Sequence, residues 1–268
     1  MKHLFTYAFC SIIMAMGLVA CGSDNDKDNN EQGQKQEQEQ GNKPSSEART
    51  LNVSIDESGL TYDDLTIQLG NGTSYKYEHV PFGTVKVSID DLPTSVAELQ
   101  KLKLPNGMTN VQQSPYLQPI LIVAALNMLN VDKSEARKML DYLVKEAKSE
   151  NRDGVNVHFP GDGATTVFAT DWSQVNQYRK FDKVRSYLEG AKYANNYTPE
   201  TKPYTMTMEI TDNSYTADKD CFLLWLTSTQ ANSKRELAIW EYDSDGNGVF
   251  DTFWASKFLP LIHGLAEY

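Results

Sequence analysis

The amino-acid sequence predicts an α+β fold, with helices packed on one face of a mostly antiparallel sheet and a β-rich segment leading into it. Three observations predict it. Residues 51–90 alternate apolar and polar, the middle of the chain carries apolar runs of helical period flanked by capping residues, and from Pro203 the period returns to two. Helices gathered early and a strand meander late fit α+β layering better than the strand–helix alternation that builds parallel sheets. No internal repeat of roughly 20–50 residues is visible.

Residues 1–20 read as a secretion signal, with Lys2 as the positive start and LFTYAFCSIIMAMGLVA as the apolar core. That core is short for a membrane span, and no basic stop-transfer cluster follows it. Leu18–Cys21, LVAC, resembles a bacterial lipobox, which implies that Cys21 carries diacylglycerol and becomes the mature N-terminus. Residues 21–50 hold no aromatic and almost no aliphatic side chain, so they are expected to form a disordered tether. Its acidic start, Ser23 to Asp26, resembles the surface-export signal of Bacteroidetes lipoproteins. The expected location is therefore the outer membrane, lipid-anchored and facing outward, with a spacer on the periplasmic face as the alternative.

In the folded part, LNVSID (51–56), LTIQL (65–69), SYKYEHV (74–80) and TVKVSI (84–89) each read as a strand, with turns at GNG (70–72) and Pro81-Phe82-Gly83. The last of these stretches, HVPFGTVKVSI, resembles the end of small β-sandwich modules related to carboxypeptidase regulatory domains. TSVAELQKL is a short helix whose Ser95 and Glu98 match a capping box. Ser114-Pro115 reads as cap and first turn of a helix over Pro115–Leu129, apolar nearly all round and therefore central. Asp132 and Glu135 cap KSEARKMLDYLVKEAKS (133–149), whose Ala136, Met139, Leu140 and Leu143 share one face. DWSQVNQYRKF is a further helix, and strands follow at 203–210, 221–228, 236–242 and 249–258.

Composition excludes some functions. With 25 basic and 36 acidic residues the net charge is −11, which opposes nucleic-acid binding and docking of the folded part on anionic lipid. Of Cys10, Cys21 and Cys221, only the last stays unmodified in the mature chain, so no intramolecular disulfide is expected and Cys221 reads as a buried thiol.

SPYLQPILIVAALNML (114–129), RSYLEGAKYANNYTPETKPYTMTM (185–208) and LAIWEYDSDGNGVFDTFWASKFLPLI (237–262) resemble a bacterial family known only as a domain of unknown function. The likeness runs from Thr84 to Tyr268 and is most specific at Asn195–Pro199, NNYTP; SKRELAIWEY matches only in part. It implies domain limits of 91–268 and a final Trp-bearing hairpin, and carries no activity.

Two places could bear a site. In YDSDGNGVFD, Asp243, Asp245, Asn247, the Val249 carbonyl and Asp251 are spaced as in a calcium loop, but Trp254 stands where a bidentate carboxylate belongs. Asp, Asn and Gly equally favour a hairpin turn, so the loop reads chiefly as a turn with calcium as the alternative, and no cofactor is required. Tyr187, Tyr193 and Tyr197 form a candidate aromatic surface for a glycan or protein partner, against the commoner fate of tyrosine rings under loops. No catalytic motif is marked: no His-x-x-x-His, no Cys-x-x-Cys, no Gly-x-Ser-x-Gly. The expectation is a non-catalytic binding module, with a hydrolase using unmarked acidic catalysts, or a structural envelope protein, as alternatives.

Overall fold

The computed structural model describes residues 47–68, 72, 74–145, 147–152, 155–160, 169–215, 221–242, 251–256 and 258–265. The signal, Cys21, most of the tether and the 243–250 loop lie outside the described residues. The α+β architecture is as expected. Strands β1 (Val53–Gln68), β2 (Ser74–Ile89), β5 (Tyr204–Ile210), β6 (Cys221–Leu226), β7 (Arg235–Tyr242) and β8 (Thr252–Ala255) form a six-stranded antiparallel sheet in that order. Strands β3 (Ala147–Arg152) and β4 (Val155–Pro160) pair as a separate hairpin, with His158 on β4 opposite Ser149. Helices are α1 (Val96–Gln100), α2 (Leu117–Met128), α3 (Lys133–Leu143), α4 (Ala169–Val175) and α5 (Leu259–Ile262).

Alternation decides which face of the sheet is inside. Val85, Val87 and Ile89 of β2, Met206, Met208 and Ile210 of β5, Leu224 and Leu226 of β6, and Leu237 and Ile239 of β7 are all buried. They merge with α2 and with the Ala136, Met139, Leu140 and Leu143 stripe of α3 into a single cluster. Every residue of α2 except Asn127 is buried, which accounts for its lack of a polar face. Among the described residues no helix is long and apolar enough to cross a membrane.

Several local readings change. The four short strands of residues 51–90 are two long ones, kept continuous by register shifts at Asp56/Gly59 and Asp63/Leu65. Pro81-Phe82-Gly83 is no turn but part of β2, where Gly83 at φ 120° brings the two backbones close. This segment joins the common sheet directly, from Gly83 opposite Ile210 to Ile89 opposite Tyr204. The helix expected over 133–149 stops at Leu143, because Val144 bridges Ala255 and the Lys145 amide donates to the Ala255 carbonyl; residues 147–152 are then free to pair as β3. Ser114 does not cap α2 directly. Its hydroxyl instead accepts from the Tyr116 amide, and α2 begins at Leu117.

Only half of the capping box on α1 forms. Ser95 Oγ accepts from the Glu98 amide at 3.2 Å, but the Glu98 carboxylate turns to Arg49. Arg49 Nε and Nη2 donate to Glu98 Oε1 and Oε2 at 2.6 and 2.9 Å, and its Nη1 reaches Asp91 at 3.0 Å. Arg49, at the end of the stretch read as a tether, is thus fastened to the folded part. Arg49 and the Thr94 amide, which also donates to the Glu98 carboxylate, outweigh burial and hold Glu98 down at about 2. The Val96 amide, one of the unpaired donors of the first turn of α1, donates to Glu135 Oε1 of α3 at 3.0 Å, joining the two helices.

Candidate functional site

The sheet's inner face does not close over everything. A cavity of about 570 Å³ opens where β1 and β2 approach β7, β8 and the chain entering α2. Its position follows from the alternation that builds the core. On β7, Leu237 and Ile239 are buried, and the next inward position is Glu241. On β1, Val53 and Ile55 are followed by Glu57, exposed and without a ladder partner at the Asp56/Gly59 register shift. Both carboxylates line the cavity.

Aromatic rings make the walls. Phe253 stands opposite Glu241 across the β7–β8 ladder, and Phe222 pairs with Ile239 next to it. From the other side come Tyr77 of β2 and Tyr116, both buried. Tyr215 bridges backbone to Phe222, lies 5.3 Å from the Tyr77 ring and 5.5 Å from the Phe82 ring, and donates its hydroxyl to the Pro81 carbonyl. That bond ties β2 to the residues leading into β6. At the rim, Tyr62 is 49% exposed and stacks on His79 at 4.9 Å, 18° from coplanar. His79 takes a left-handed φ of 53°, and its amide donates to Asp64 Oδ1 at 2.9 Å. Gln113, on the third wall, is fixed by accepting from the Thr109 amide at 2.6 Å and from the Asn110 amide.

Electrostatics follow from this lining. Burial, reinforced by the negative charges of Glu57 and Glu241, pushes the Tyr116 hydroxyl well above the ordinary phenol value. Tyr215 is raised in the same direction, again mainly by burial with Glu241 adding to it. Both phenols are neutral donors in an environment that resists further negative charge. Among the described residues, no Lys or Arg lines the cavity. Cys221, buried as the apolar run on β6 predicts, forms part of its wall.

The residues singled out from sequence lie elsewhere. Tyr187 is 3% exposed and donates to the Leu261 carbonyl at 2.9 Å, so its ring belongs to the core. Tyr197 is equally buried, at a left-handed φ of 54° that follows Asn196 at 51°. Tyr193 is exposed and meets the Tyr197 ring edge-on at 6.3 Å. Burial thus takes Tyr187 and Tyr197 away from any solvent-facing platform and leaves Tyr193 alone of the three at the surface. Within the candidate calcium loop, Asp243, Asp245, Asn247 and Val249 lie outside the described residues. Asp251 is described: its amide donates to the Tyr242 carbonyl at 3.0 Å and its carboxylate accepts from the Thr252 hydroxyl, at the base of the β7–β8 hairpin. Among the described residues no group of three or more His, Cys, Asp and Glu side chains forms a metal-ligand set.

Sequence reasoning passed over Glu57, Glu241, Tyr62, Tyr77 and Tyr116. For Glu241 the signal was present, as a position of period two after Leu237 and Ile239 that breaks from apolar to acidic; Glu57 sits in a bulge that alternation does not reveal.

The fold and cavity define an α+β domain with an aromatic-walled, acidic recess beside its sheet. A family model described as a domain of unknown function, DUF6935, matches residues 91–253, and the chain belongs to that family. The match takes in Gln113, Tyr116, Tyr215, Phe222, Glu241 and Phe253, whereas Glu57, Tyr62, Tyr77 and His79 come from strands that precede it. Comparison with curated proteins and with solved structures gives no match.

Proposed function

We propose that this chain is a lipid-anchored bacterial envelope protein, displayed at the outer membrane surface, whose folded part is a non-catalytic module binding a small organic ligand in the cavity. The cavity carries this reading. Its volume of about 570 Å³ falls among small-molecule sites, and its lining pairs aromatic rings with a few polar groups, the usual composition of such sites. The anchor rests on LVAC at the end of the apolar leader and on the polar stretch after it.

A hydrolase is the second reading, because Glu57 and Glu241 share one cavity and glycosidases work with two carboxylates flanking a bond. Binding is preferred because most of the lining is aromatic or apolar, the usual composition of a recognition site.

The test is a thermal-shift panel of uncharged oligosaccharides, amino acids and organic amines on the full chain and on Met108→Trp, which fills the cavity from a loop. Stabilisation by one class that Met108→Trp abolishes is expected. No stabilisation by any class, or release of new reducing ends from the oligosaccharides, would overturn the binding reading. Cys21→Ala should move the protein from the membrane to the soluble fraction, and unchanged pelleting would refute the anchor.

A further inference from the structure

Resting on the reading of the cavity as a ligand site, we infer that Tyr116 is its recognition residue and that the ligand is a neutral carboxamide with an aromatic body. The ligand's carbonyl oxygen takes a hydrogen bond from the Tyr116 hydroxyl, and its N–H donates to Glu57.

Tyr116 is a buried group that the fold leaves unsatisfied. It is 9% exposed, and its amide donates to the Ser114 hydroxyl at 3.3 Å. Among the described residues its own hydroxyl has no hydrogen-bond partner. The groups whose charge it feels are Glu57, Tyr62 and Glu241, all in the cavity lining, so the hydroxyl faces that space. The neighbouring phenol of Tyr215 is already used, because it donates to the Pro81 carbonyl. A buried donor without an acceptor costs free energy that a ligand oxygen would recover.

A second donor stands on the same segment. Gln113 Oε1 accepts from the Thr109 amide and hydroxyl and from the Asn110 amide. Its Nε2 is therefore the open end of a side chain that lines the cavity. A carbonyl oxygen, with two lone pairs, can accept from both Tyr116 and Gln113. Glu57 lines the same space from β1, exposed and without a hydrogen-bond partner among the described residues, and so offers an acceptor. Donors from one segment and an acceptor from another match the two ends of an amide group.

Neutrality follows from burial. It is the largest cause of the raised Tyr116 value, and desolvation penalises an entering ion of either sign. The negative charges of Glu57 and Glu241 add to that penalty for an anion. Tyr77, Met108, Phe222 and Phe253 complete the lining and give the aromatic body of the ligand ring and thioether surface to pack on.

The experiment adds three compounds of one shape to the thermal-shift panel: phenylacetamide, phenylacetate and phenethylamine. Calorimetric titration of the full chain should show the amide binding roughly tenfold tighter than either ion. Tyr116→Phe should weaken the amide about fivefold and leave toluene, which has no acceptor, unchanged. Glu57→Gln, at an exposed position, should weaken the amide as well, and circular dichroism verifies that both variants fold. Binding of either ion as tight as the amide, or an amide affinity that neither variant changes, overturns the assignment and leaves the cavity reading intact. No binding by any of the three also overturns it. If another member of the panel then stabilises the chain and Met108→Trp abolishes the effect, the cavity reading survives; if none does, both fall.

Discussion

Replacing Arg49 by methionine removes the guanidinium that grips Glu98 and keeps a side chain of comparable length. Glu98 is 5% exposed, and after the replacement its carboxylate retains the Thr94 amide and hydroxyl and the backbone amide of residue 49, at 3.4 Å. The magnitude follows from the proton equilibrium. Glu98 is lowered from an ordinary 4.5 to about 2, a difference of about 2.5, and each unit is worth about 1.4 kcal/mol. That is about 3.5 kcal/mol net in favour of the carboxylate, left after the opposing cost of its burial. Arg49 supplies only part of it, and its side chain is 42% exposed and screened by solvent, which brings its share to about 2 kcal/mol. Because the folded-state value is depressed, this stability is complete above pH 4.5 and is lost as the pH falls toward 2. Asp91, which Arg49 also contacts, is lowered too and adds in the same direction. Urea titrations followed by circular dichroism should therefore place Arg49→Met about 2 kcal/mol below wild type at pH 7, with the gap narrowing steadily between pH 4.5 and 2. A gap under about 0.5 kcal/mol at neutral pH, or one that ignores pH over that window, would refute the reasoning.

Two further outcomes are expected. Gly83→Ala should cost at least about 2 kcal/mol in the same assay, since a Cβ there would lie 2.2 Å from the Gly59 carbonyl oxygen at φ 120°. Gly190→Ala, also at positive φ but with its nearest neighbour 4.0 Å away, should lose only about 1 kcal/mol, and an equal loss at both would mean that contact with Gly59 is irrelevant. The 243–251 loop, read as a hairpin turn, should leave the melting temperature the same in calcium and in chelator; a drop in chelator that Asp245→Ala abolishes would establish a calcium site instead.

Much of the fold was legible because single elements carry strong local patterns. The α2 run is buried all round in the sheet-and-helix cluster, and Asp132 caps α3 through the Glu135 amide at 2.9 Å as its position predicts. Misreadings occurred where tertiary contacts override local preference. Lys145–Ser149 has helical composition, yet α3 ends early because Val144 and Lys145 are drawn to Ala255, more than a hundred residues away. Bulges are equally invisible in composition, so the long β1–β2 ladder looked like four strands broken by turns. The site was least legible of all. NNYTP is the most specific local motif, but its residues serve a turn: Asn195 Nδ2 donates to the Gly190 carbonyl and the Tyr197 ring is buried. Glu57 and Glu241 stand far apart in sequence and meet only through the order of strands in the sheet, which period-two alternation alone does not specify.

Met108 gives the most direct measurement of the central claim, that the recess is a ligand site. Its side chain lines the cavity, whereas Met139 is fully buried in the α3 face of the core. With the methionine methyls isotope-labelled, titration with the compound that stabilises the chain most in the thermal-shift panel should shift the Met108 resonance saturably and leave Met139 where it is. A Met108 signal that stays fixed throughout the titration, or moves only together with Met139, would contradict the account.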